Sequence, residues 1–296
     1  MHVLIIGLGS MGYGAALSLL KQGFQTTGYD LNPETLKQFE MDGGQAITRL
    51  EDVSQVDCVF IFVVNALQAE TVLFQSALDH ALNPKALVIN CVTLAPSKAI
   101  EIAKQVHAKG LQYIDAPVSG GAAKARAGRM SIMASGHSDA MQQAQPLFEA
   151  ISEKVFHLGD EPGQGSQMKL INQLLAGVHI AAAAEAMNLA ASLKMDLHEV
   201  IEVISGCAGT SWMFENRAPH IADGDYTPLS SVNIFVKDLG IVTGEAAQNG
   251  VATPLSAQAL LLYQHAVEAG LGSEDDSAVA KVLAMQSGTQ LPGADS

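Results

Sequence analysis

The first 23 residues contain the pattern that most limits how this chain can fold. An apolar run, "HVLII" at 2–6, ends at the glycine-rich turn "GLGSMG" (7–12), which the helical stretch "YGAALSLLKQG" follows. Glycines at this spacing allow a tight turn, close backbone approach to a pyrophosphate and close helix-to-strand packing, with the anion at the positive helix N-terminus. The motif alone is weak, but its place between a predicted strand and a predicted helix makes it specific. The predicted dinucleotide-binding residues are Gly7, Leu8, Gly9, Ser10, Met11 and Gly12.

An acidic residue at the end of the second predicted strand extends this pattern. Asp30 closes the run at 24–30 and follows Gly12 by 18 residues. A carboxylate there accepts hydrogen bonds from a ribose diol and repels the extra phosphate of NADP, so we predict NAD as the cofactor. The alternative is a turn residue before the helix that begins at "NPE", where Asn32 can cap.

Strand-like and helix-like stretches alternate through the first half of the chain. The strand-like runs lie at 2–6, 24–30, 58–64, 86–90, 111–116 and 130–135. Such alternation predicts βαβ units and a mainly parallel, doubly wound sheet covered on both faces. From about Gly163 the pattern is helical. We therefore predict an α/β fold, with a Rossmann domain at 1–162 and an all-helical domain at 163–296. The predicted helices of the second domain lie at about 163–193, 197–205, 231–248, 254–268 and 276–286, with a loose tail from 291.

Composition excludes several classes of partner. A formal net charge of −14 repels phosphate backbones, so no nucleic acid partner is expected. The longest purely apolar run, "CVFIFVV", is far shorter than the roughly 20 residues that cross a bilayer, and no signal peptide is apparent, so we expect a cytoplasmic protein without a membrane span. Three widely spaced cysteines and nine histidines without ligand spacing predict no disulfide framework and no metal.

The alanine-rich long helix favours close pairing of subunits in a homo-oligomer, a dimer or tetramer.

Two further loops leave strands where the sheet order is expected to reverse. "VVNA" (63–66) and "NCVTLAP" (90–96) place Val64, Asn65 and Thr93 there, and these side chains can contact the cofactor. Helix capping is the alternative for Asn65 and Thr93.

A second glycine pair suggests an anion site. "DAPVSGGAAKARAG" (115–128) places Ser119, Gly120 and Gly121 after a strand and before a helix. Uncovered backbone N–H groups beside a hydroxyl form a nest suited to a carboxylate. A simple turn with a helix cap is the alternative.

Two lysines stand among apolar residues. Lys169 shares a helix face with Asn172 and Gln173, an amide-rich face that suits a binding cleft. A solvated surface lysine is the alternative. Lys237, in "NIFVKDLGIV", is either a second lysine of the site, a structural partner of Asp238 or another carboxylate, or a snorkelling surface residue.

Taken in order, "GLGSMG", "DAPVSGG", "GQGSQMKLIN" and "FVKDLGIV" give the chain a resemblance to the β-hydroxyacid dehydrogenase family, which covers nearly its whole length. The resemblance implies that Lys169 is the catalytic lysine and Asn172 a substrate-orienting amide. It also implies a substrate carboxylate loop at Ser119, Gly120 and Gly121, a contact near the nicotinamide at Thr93, and a residue at the junction of cofactor and substrate at Lys237. "NCVT" departs from the Ser-Thr pair of many relatives, which leaves a role for Cys91 open.

The resemblance implies hydride transfer from a hydroxyl-bearing carbon of a small hydroxy acid to NAD, with Lys169 taking the hydroxyl proton. Segments 211–228 and 272–284 are most similar to the branch of the family that oxidises L-threonate to its 2-oxo acid. Oxidation of 3-hydroxyisobutyrate and reduction of tartronate semialdehyde are alternatives, and so is a dinucleotide-binding assembly protein without turnover. Whether Trp212, Asn216 and Arg217 contact substrate or only pack stays open.

Overall fold

The computed structural model describes residues 1–294 and divides the chain into two compact units, Met1–Lys169 and Leu170–Ser296. We call them the N-terminal and C-terminal units. The division falls inside a long helix, a few residues after the boundary at 162–163 that the sequence predicts.

The N-terminal unit is built on a six-stranded parallel sheet in the order β3-β2-β1-β4-β5-β6. Its strands are β1 His2–Ile6, β2 Gln25–Tyr29, β3 Gln45–Ile47, β4 Val56–Ile61, β5 Leu82–Asn90 and β6 Gln112–Asp115. The winding direction reverses between β1 and β4, which confirms the predicted doubly wound sheet and places its crevice beyond those two strands.

Helices cover both faces of this sheet because its central strands bury alternate residues in opposite directions. Val3 and Ile5 pack into one apolar cluster, whereas Leu4 and Ile6 pack into another. The helices are α1 Gly12–Lys21, α2 Pro33–Met41, α3 Ala66–Phe74, α4 Leu78–Ala81, α5 Pro96–Ala108, α6 Gly121–Arg126 and α7 Ser138–Ile151. Burial on both faces explains why these strands are nearly continuous apolar runs.

A separate three-stranded sheet follows, in the order β7-β8-β9. Its strands are β7 Val118–Ser119, β8 Met130–Ala134 and β9 Ser152–His157. The predicted run at 130–135 therefore lies in this sheet and not in the large one. The sequence pattern does not predict β3, β7 and β9. Strand β3 has only three residues, β7 has only two, and β9, "SEKVFH", is largely polar.

The C-terminal unit is helical. Its helices are α8 Gln164–Ser192, α9 Leu197–Ser205, α10 Trp212–Asp223, α11 Val232–Gln248, α12 Pro254–Glu268 and α13 Val279–Ser287, with α8 beginning in the N-terminal unit. The long helix agrees with its predicted bounds to one residue at each end. The sequence missed α10, which begins after the capping residue Ser211 and contains Pro219.

The prediction of a loose tail is wrong for residues 291–294, while residues 295 and 296 lie outside the described chain. Leu291 is only 4% exposed and packs into the core of the C-terminal unit. The backbones at Gly224 and Gly293 approach so closely that a Cβ on Gly224 would lie 2.7 Å from the nitrogen of Gly293. Two glycines make this docking possible.

By length and composition alone, α8 could cross a membrane, and 33% of its most apolar window is buried. The expectation of no membrane span rested on uninterrupted apolar runs and overlooked this helix. The central helix of a helical domain passes the same test of length and composition.

Candidate functional site

The loop after β1 has the form of a ligand cradle. Gly7 has φ +93°, and a Cβ there would lie 2.7 Å from the carbonyl oxygen of Phe62, while a Cβ on Gly12 would lie 1.9 Å from that of Gly7. In contrast, a Cβ on Gly9 would meet nothing within 4 Å. Two glycines thus permit close packing within the protein, and the third faces open space.

The end of α1 at this loop suits an anion. Among the described residues, no side chain caps its N-terminus and no acid stands in its first turn. The backbone N–H groups there, together with the positive end of the helix dipole, are arranged for a phosphate group. The residues of this loop therefore fit a dinucleotide, and the contact of Gly7–Gly12 with its pyrophosphate stays a prediction.

Asp30 ties this loop to the end of β2. One carboxylate oxygen accepts a hydrogen bond from the Leu8 N–H at 2.7 Å, and the other accepts one from the Asn32 N–H at 2.8 Å. Asn32 in turn accepts a hydrogen bond from the Glu34 N–H and caps α2, as the alternative interpretation expected. Each carboxylate oxygen has a second lone pair, so the turn role leaves acceptor capacity for a ribose diol.

The loops after β4 and β5 differ in what their polar residues do. Asn65 caps α3 by accepting a hydrogen bond from the Gln68 N–H at 2.9 Å, and the Gln68 side chain accepts one from the Val64 N–H at 2.8 Å. Capping is thus the observed role of Asn65, and cofactor contacts by Asn65 and Val64 stay predictions. Thr93 does not cap α5, whose N-cap is Ala95.

The predicted carboxylate loop forms a turn between β7 and α6. Gly120 and Gly121 have φ +126° and +71°, and Gly120 occupies the N-cap position without a side-chain hydrogen bond. Consecutive glycines in this conformation leave their N–H groups uncovered, as a nest for an anion requires. Ser119, at the end of β7, places a hydroxyl-bearing side chain next to them.

Lys169 lies beside this loop in the N-terminal unit. Its Nζ donates a hydrogen bond to the Val118 carbonyl oxygen at 2.8 Å, and the residue is only 7% exposed. The interpretation as a solvated surface lysine is therefore wrong. The structure brings together the proposed catalytic lysine and the proposed carboxylate loop, because Val118 directly precedes Ser119.

Four polar residues of the C-terminal unit form one hydrogen-bonded chain. Asn172 donates from Nδ2 to Gln173 Oε1 at 2.8 Å, Gln173 donates from Nε2 to Asp238, and Lys237 pairs with the same carboxylate. Because a carboxylate only accepts, Asp238 fixes which end of the Gln173 amide faces it, and Gln173 then fixes the Asn172 amide. The Asn172 carbonyl oxygen is thereby turned away from Gln173 as an acceptor. The structural pairing expected as one alternative for Lys237 is formed.

The residues considered for substrate contact in α10 have different surroundings. Arg217 is 5% exposed and donates from Nε to Asp276 Oδ1 at 2.5 Å, with Asp275 Oδ1 3.7 Å from the same nitrogen. Burial raises the pKa of Asp276 to about 6. Because two buried carboxylates lie beside it, the Arg217 guanidinium stabilises the C-terminal unit. Trp212 is 51% exposed. Asn216 accepts a hydrogen bond from Arg217.

Sequence reasoning did not single out two residues near Lys169. Asp115 and Ser166 stand inside the quoted motifs "DAPVSGG" and "GQGSQMKLIN", and both are completely buried. Asp115 follows an apolar run and Ser166 stands between Gly165 and Gln167, signals that many loop residues share.

Two family models match the chain. The NAD binding domain of 6-phosphogluconate dehydrogenase matches residues 2–159, and the NAD-binding domain of NADP-dependent 3-hydroxyisobutyrate dehydrogenase matches residues 163–283. An L-threonate dehydrogenase of Escherichia coli is 47% identical over 100% of this chain and 98% of its own. Another, of Cupriavidus necator, is 48% identical over 98% of this chain and 97% of its own. A crystal structure of 3-hydroxyisobutyrate dehydrogenase from Salmonella typhimurium is 48% identical, with a TM-score of 0.91 over 95% of this chain and 99% of that one.

Proposed function

Since this chain belongs to the β-hydroxyacid dehydrogenase family and is an NAD-dependent hydroxyacid dehydrogenase, we propose that it oxidises L-threonate to the corresponding 2-oxo acid. The name carried by relatives 47% and 48% identical over nearly full length supports this substrate. The observation that carries the chemistry is the 2.8 Å hydrogen bond from Lys169 Nζ to Val118, next to the Ser119–Gly121 turn.

Lys169 is the general base of the proposed reaction. When bound, NAD supplies the hydride acceptor. As the C–H bond of the substrate carbon breaks, the neutral Lys169 amine would take the hydroxyl proton, and the C=O bond of the 2-oxo acid would form. In the reverse direction the ammonium returns that proton. The products are the 2-oxo acid, NADH and the proton held on Lys169.

Substrate orientation is assigned to the glycine turn and to an amide. The N–H groups of Gly120 and Gly121 and the hydroxyl of Ser119 hold the carboxylate, which fixes the reacting carbon relative to the base. Asn172, one helical turn after Lys169 on α8, accepts a hydrogen bond from a substrate hydroxyl through the oxygen that Gln173 leaves outward. Lys237 stays a proposed contact of cofactor and substrate.

A second candidate substrate is 3-hydroxyisobutyrate, because the Salmonella typhimurium protein with that name is 48% identical. Tartronate semialdehyde reduction uses the same chemistry in reverse. An assembly protein without turnover is disfavoured, since the chain retains both Lys169 and Asn172.

We also infer a cytoplasmic homo-oligomer without a nucleic acid or membrane partner. Ile171, Leu175 and Leu189 lie within about 40° of one another around α8 and are 48–60% exposed. An exposed apolar stripe of this kind marks an association surface. Light scattering after gel filtration tests it, and a monomeric mass at micromolar concentration would contradict it.

The test of the reaction is NADH formation with L-threonate, D-erythronate, 3-hydroxyisobutyrate and glycerate, each with NAD and NADP. Selective turnover of L-threonate with NAD is expected. Lys169→Ala should lower kcat by about 10²- to 10⁴-fold, the usual contribution of general base catalysis, with little change in the Kd of NADH. The exposed Lys104 provides the matched control, Lys104→Ala. A fully active Lys169→Ala enzyme would remove Lys169 from the mechanism.

A further inference from the structure

A buried carboxylate of the N-terminal unit has no role in the function proposed so far. Asp115 is the last residue of β6 and is 0% exposed. Its Oδ2 accepts hydrogen bonds from the Gly163 N–H at 3.1 Å and the Ser166 N–H at 2.8 Å, and its Oδ1 accepts one from the Ser166 hydroxyl at 2.8 Å. The carboxylate therefore binds the start of α8, the helix that carries Lys169.

This contact replaces an ordinary helix cap. The first N–H groups of a helix have no partner inside the helix, and a local Ser, Thr, Asp or Asn usually satisfies one of them. Before α8 the chain has Gly163, which has no side chain and a φ of +102°. The N–H groups of Gly163 and Ser166 bind Asp115, and that of Gly165 binds the Ser135 hydroxyl at 2.9 Å.

The close approach of the helix to the strand ends depends on another glycine. A Cβ on Gly165 would lie 2.4 Å from the Met133 carbonyl oxygen and 2.7 Å from that of Asp115. The backbone of Asp115 is itself fixed, since it exchanges two hydrogen bonds with Ser135, at 3.0 and 2.8 Å. The first turn of α8 is thus held by a rigid part of the unit.

The Asp115 contact and the Lys169 contact join the same two segments. Ser166 donates a hydrogen bond to Asp115, and Lys169, three residues after Ser166, donates one to Val118, three residues after Asp115. Both pairs are therefore separated by 51 residues. Ser166 and Lys169 are one helical turn apart, about 4.5 Å along the axis. A shift of α8 along its axis would move Lys169 Nζ relative to the strand of Val118 and Ser119.

We propose that Asp115 is a positioning residue for catalysis: by holding the first turn of α8 at the end of β6, it keeps Lys169 Nζ beside the Ser119–Gly121 turn. This inference rests on the proposed role of Lys169. Asp115 touches the peptide groups of α8 and not the reacting atoms. Ser166 serves the same contact, since its hydroxyl and its N–H both bind the carboxylate.

The experiment compares Asp115→Asn and Ser166→Ala with a matched control. Asp57 also accepts a backbone N–H, that of His2 at 2.8 Å, and a side-chain donor, Asn83 at 2.7 Å, but it lies near the start of β4, opposite the strand ends that carry the site. Asp57→Asn therefore removes a similar contact far from Lys169. The measurements are kcat, KM, the Kd of NADH and Tm for each full-length variant.

Asp115→Asn and Ser166→Ala should lower kcat by about 10- to 100-fold, since misplacing a reacting group by about 1 Å has costs of this order. KM and the Kd of NADH should change less than threefold. Peptides covering 163–169 should exchange amide hydrogen faster in both variants, a readout that requires no turnover. Asp57→Asn should lower Tm and leave kcat within twofold.

Two results would overturn the positioning role. One is a folded Asp115→Asn enzyme with wild-type kcat. The other is a kcat that merely follows Tm across all three variants, Asp57→Asn included. Failure of the proposed function has a different signature, because then the wild type turns over no hydroxy acid or Lys169→Ala stays active. In that case unchanged exchange at 163–169 in Asp115→Asn would still reject the anchoring of α8.

Discussion

Gly9→Ala is the most direct test of the cofactor cradle, because the folded protein has room for the added methyl. An ideal Cβ at this position meets nothing within 4 Å, and the residue lacks a positive φ. Stability should therefore stay the same or rise by up to about 1 kcal/mol, since alanine restricts the unfolded chain. If the space belongs to the pyrophosphate, the methyl blocks its approach to the backbone N–H groups.

The loss of affinity follows from the contact that the methyl prevents. One hydrogen bond to a charged group contributes about 1.5–3 kcal/mol, which corresponds to about a 10- to 100-fold higher Kd for NADH. Fluorescence titration measures the Kd, and thermal unfolding measures stability in the same samples. Gly12→Ala should lower both the affinity for NADH and the stability, since its Cβ would lie 1.9 Å from a carbonyl oxygen. Gly244→Ala, in an exposed part of α11, should keep wild-type affinity. Wild-type NADH affinity in Gly9→Ala would refute the cradle.

Two further predictions concern buried or partly buried carboxylates. Asp30→Asn removes the charge that repels a ribose phosphate, so the ratio of kcat/KM for NAD to that for NADP should fall by about tenfold in initial-rate assays; an unchanged ratio would contradict the ribose role. Burial raises the pKa of the Asp115 carboxyl group to about 6. Between about pH 4, near the ordinary pKa of an aspartate, and about pH 6, the folded chain therefore holds a proton that the unfolded chain releases. Its contribution to the free energy of unfolding therefore grows as pH falls through 6, and is complete below about 4. Between pH 7 and pH 5 the gain should be about 1 kcal/mol in urea unfolding and absent in Asp115→Asn. Equal pH dependence of the two proteins would contradict it.

Local patterns in the sequence were sufficient to predict the sheet and the glycine loop. Buried parallel strands leave long apolar runs, and a helix as long as α8 leaves a long stretch of helix-forming residues without proline, whose predicted ends lie within one residue of those in the structure. The strands missed are those with few or polar residues. Helix α10 was missed although Ser211 caps it, because Pro219 interrupts an otherwise helical pattern.

The environment of Lys169 could not be predicted from the residues around it. Its apolar neighbours Met168 and Ile171 are themselves 46% and 56% exposed, whereas Lys169 is 7% exposed. Lys169 is buried although its apolar neighbours are exposed, because a hydrogen-bond acceptor of its Nζ, the Val118 carbonyl, belongs to a segment 51 residues away. Residue type and helical period identify a face of α8, but only the long-range contact determines which face is buried.

The same reasoning explains why "GQGS" is not simply a loop before a helix. Gly165 must lack a side chain because the strand ends lie against it, and Gly163 needs a left-handed backbone conformation. Neither residue can then supply a capping side chain, so the acceptors for this helix end must come from the segments packed against it. Asp115 and Ser135 provide them. The glycines at 163 and 165 thus allow the close packing of this helix end and also make capping by distant residues necessary. Packing and capping together fix the start of the helix that carries Lys169.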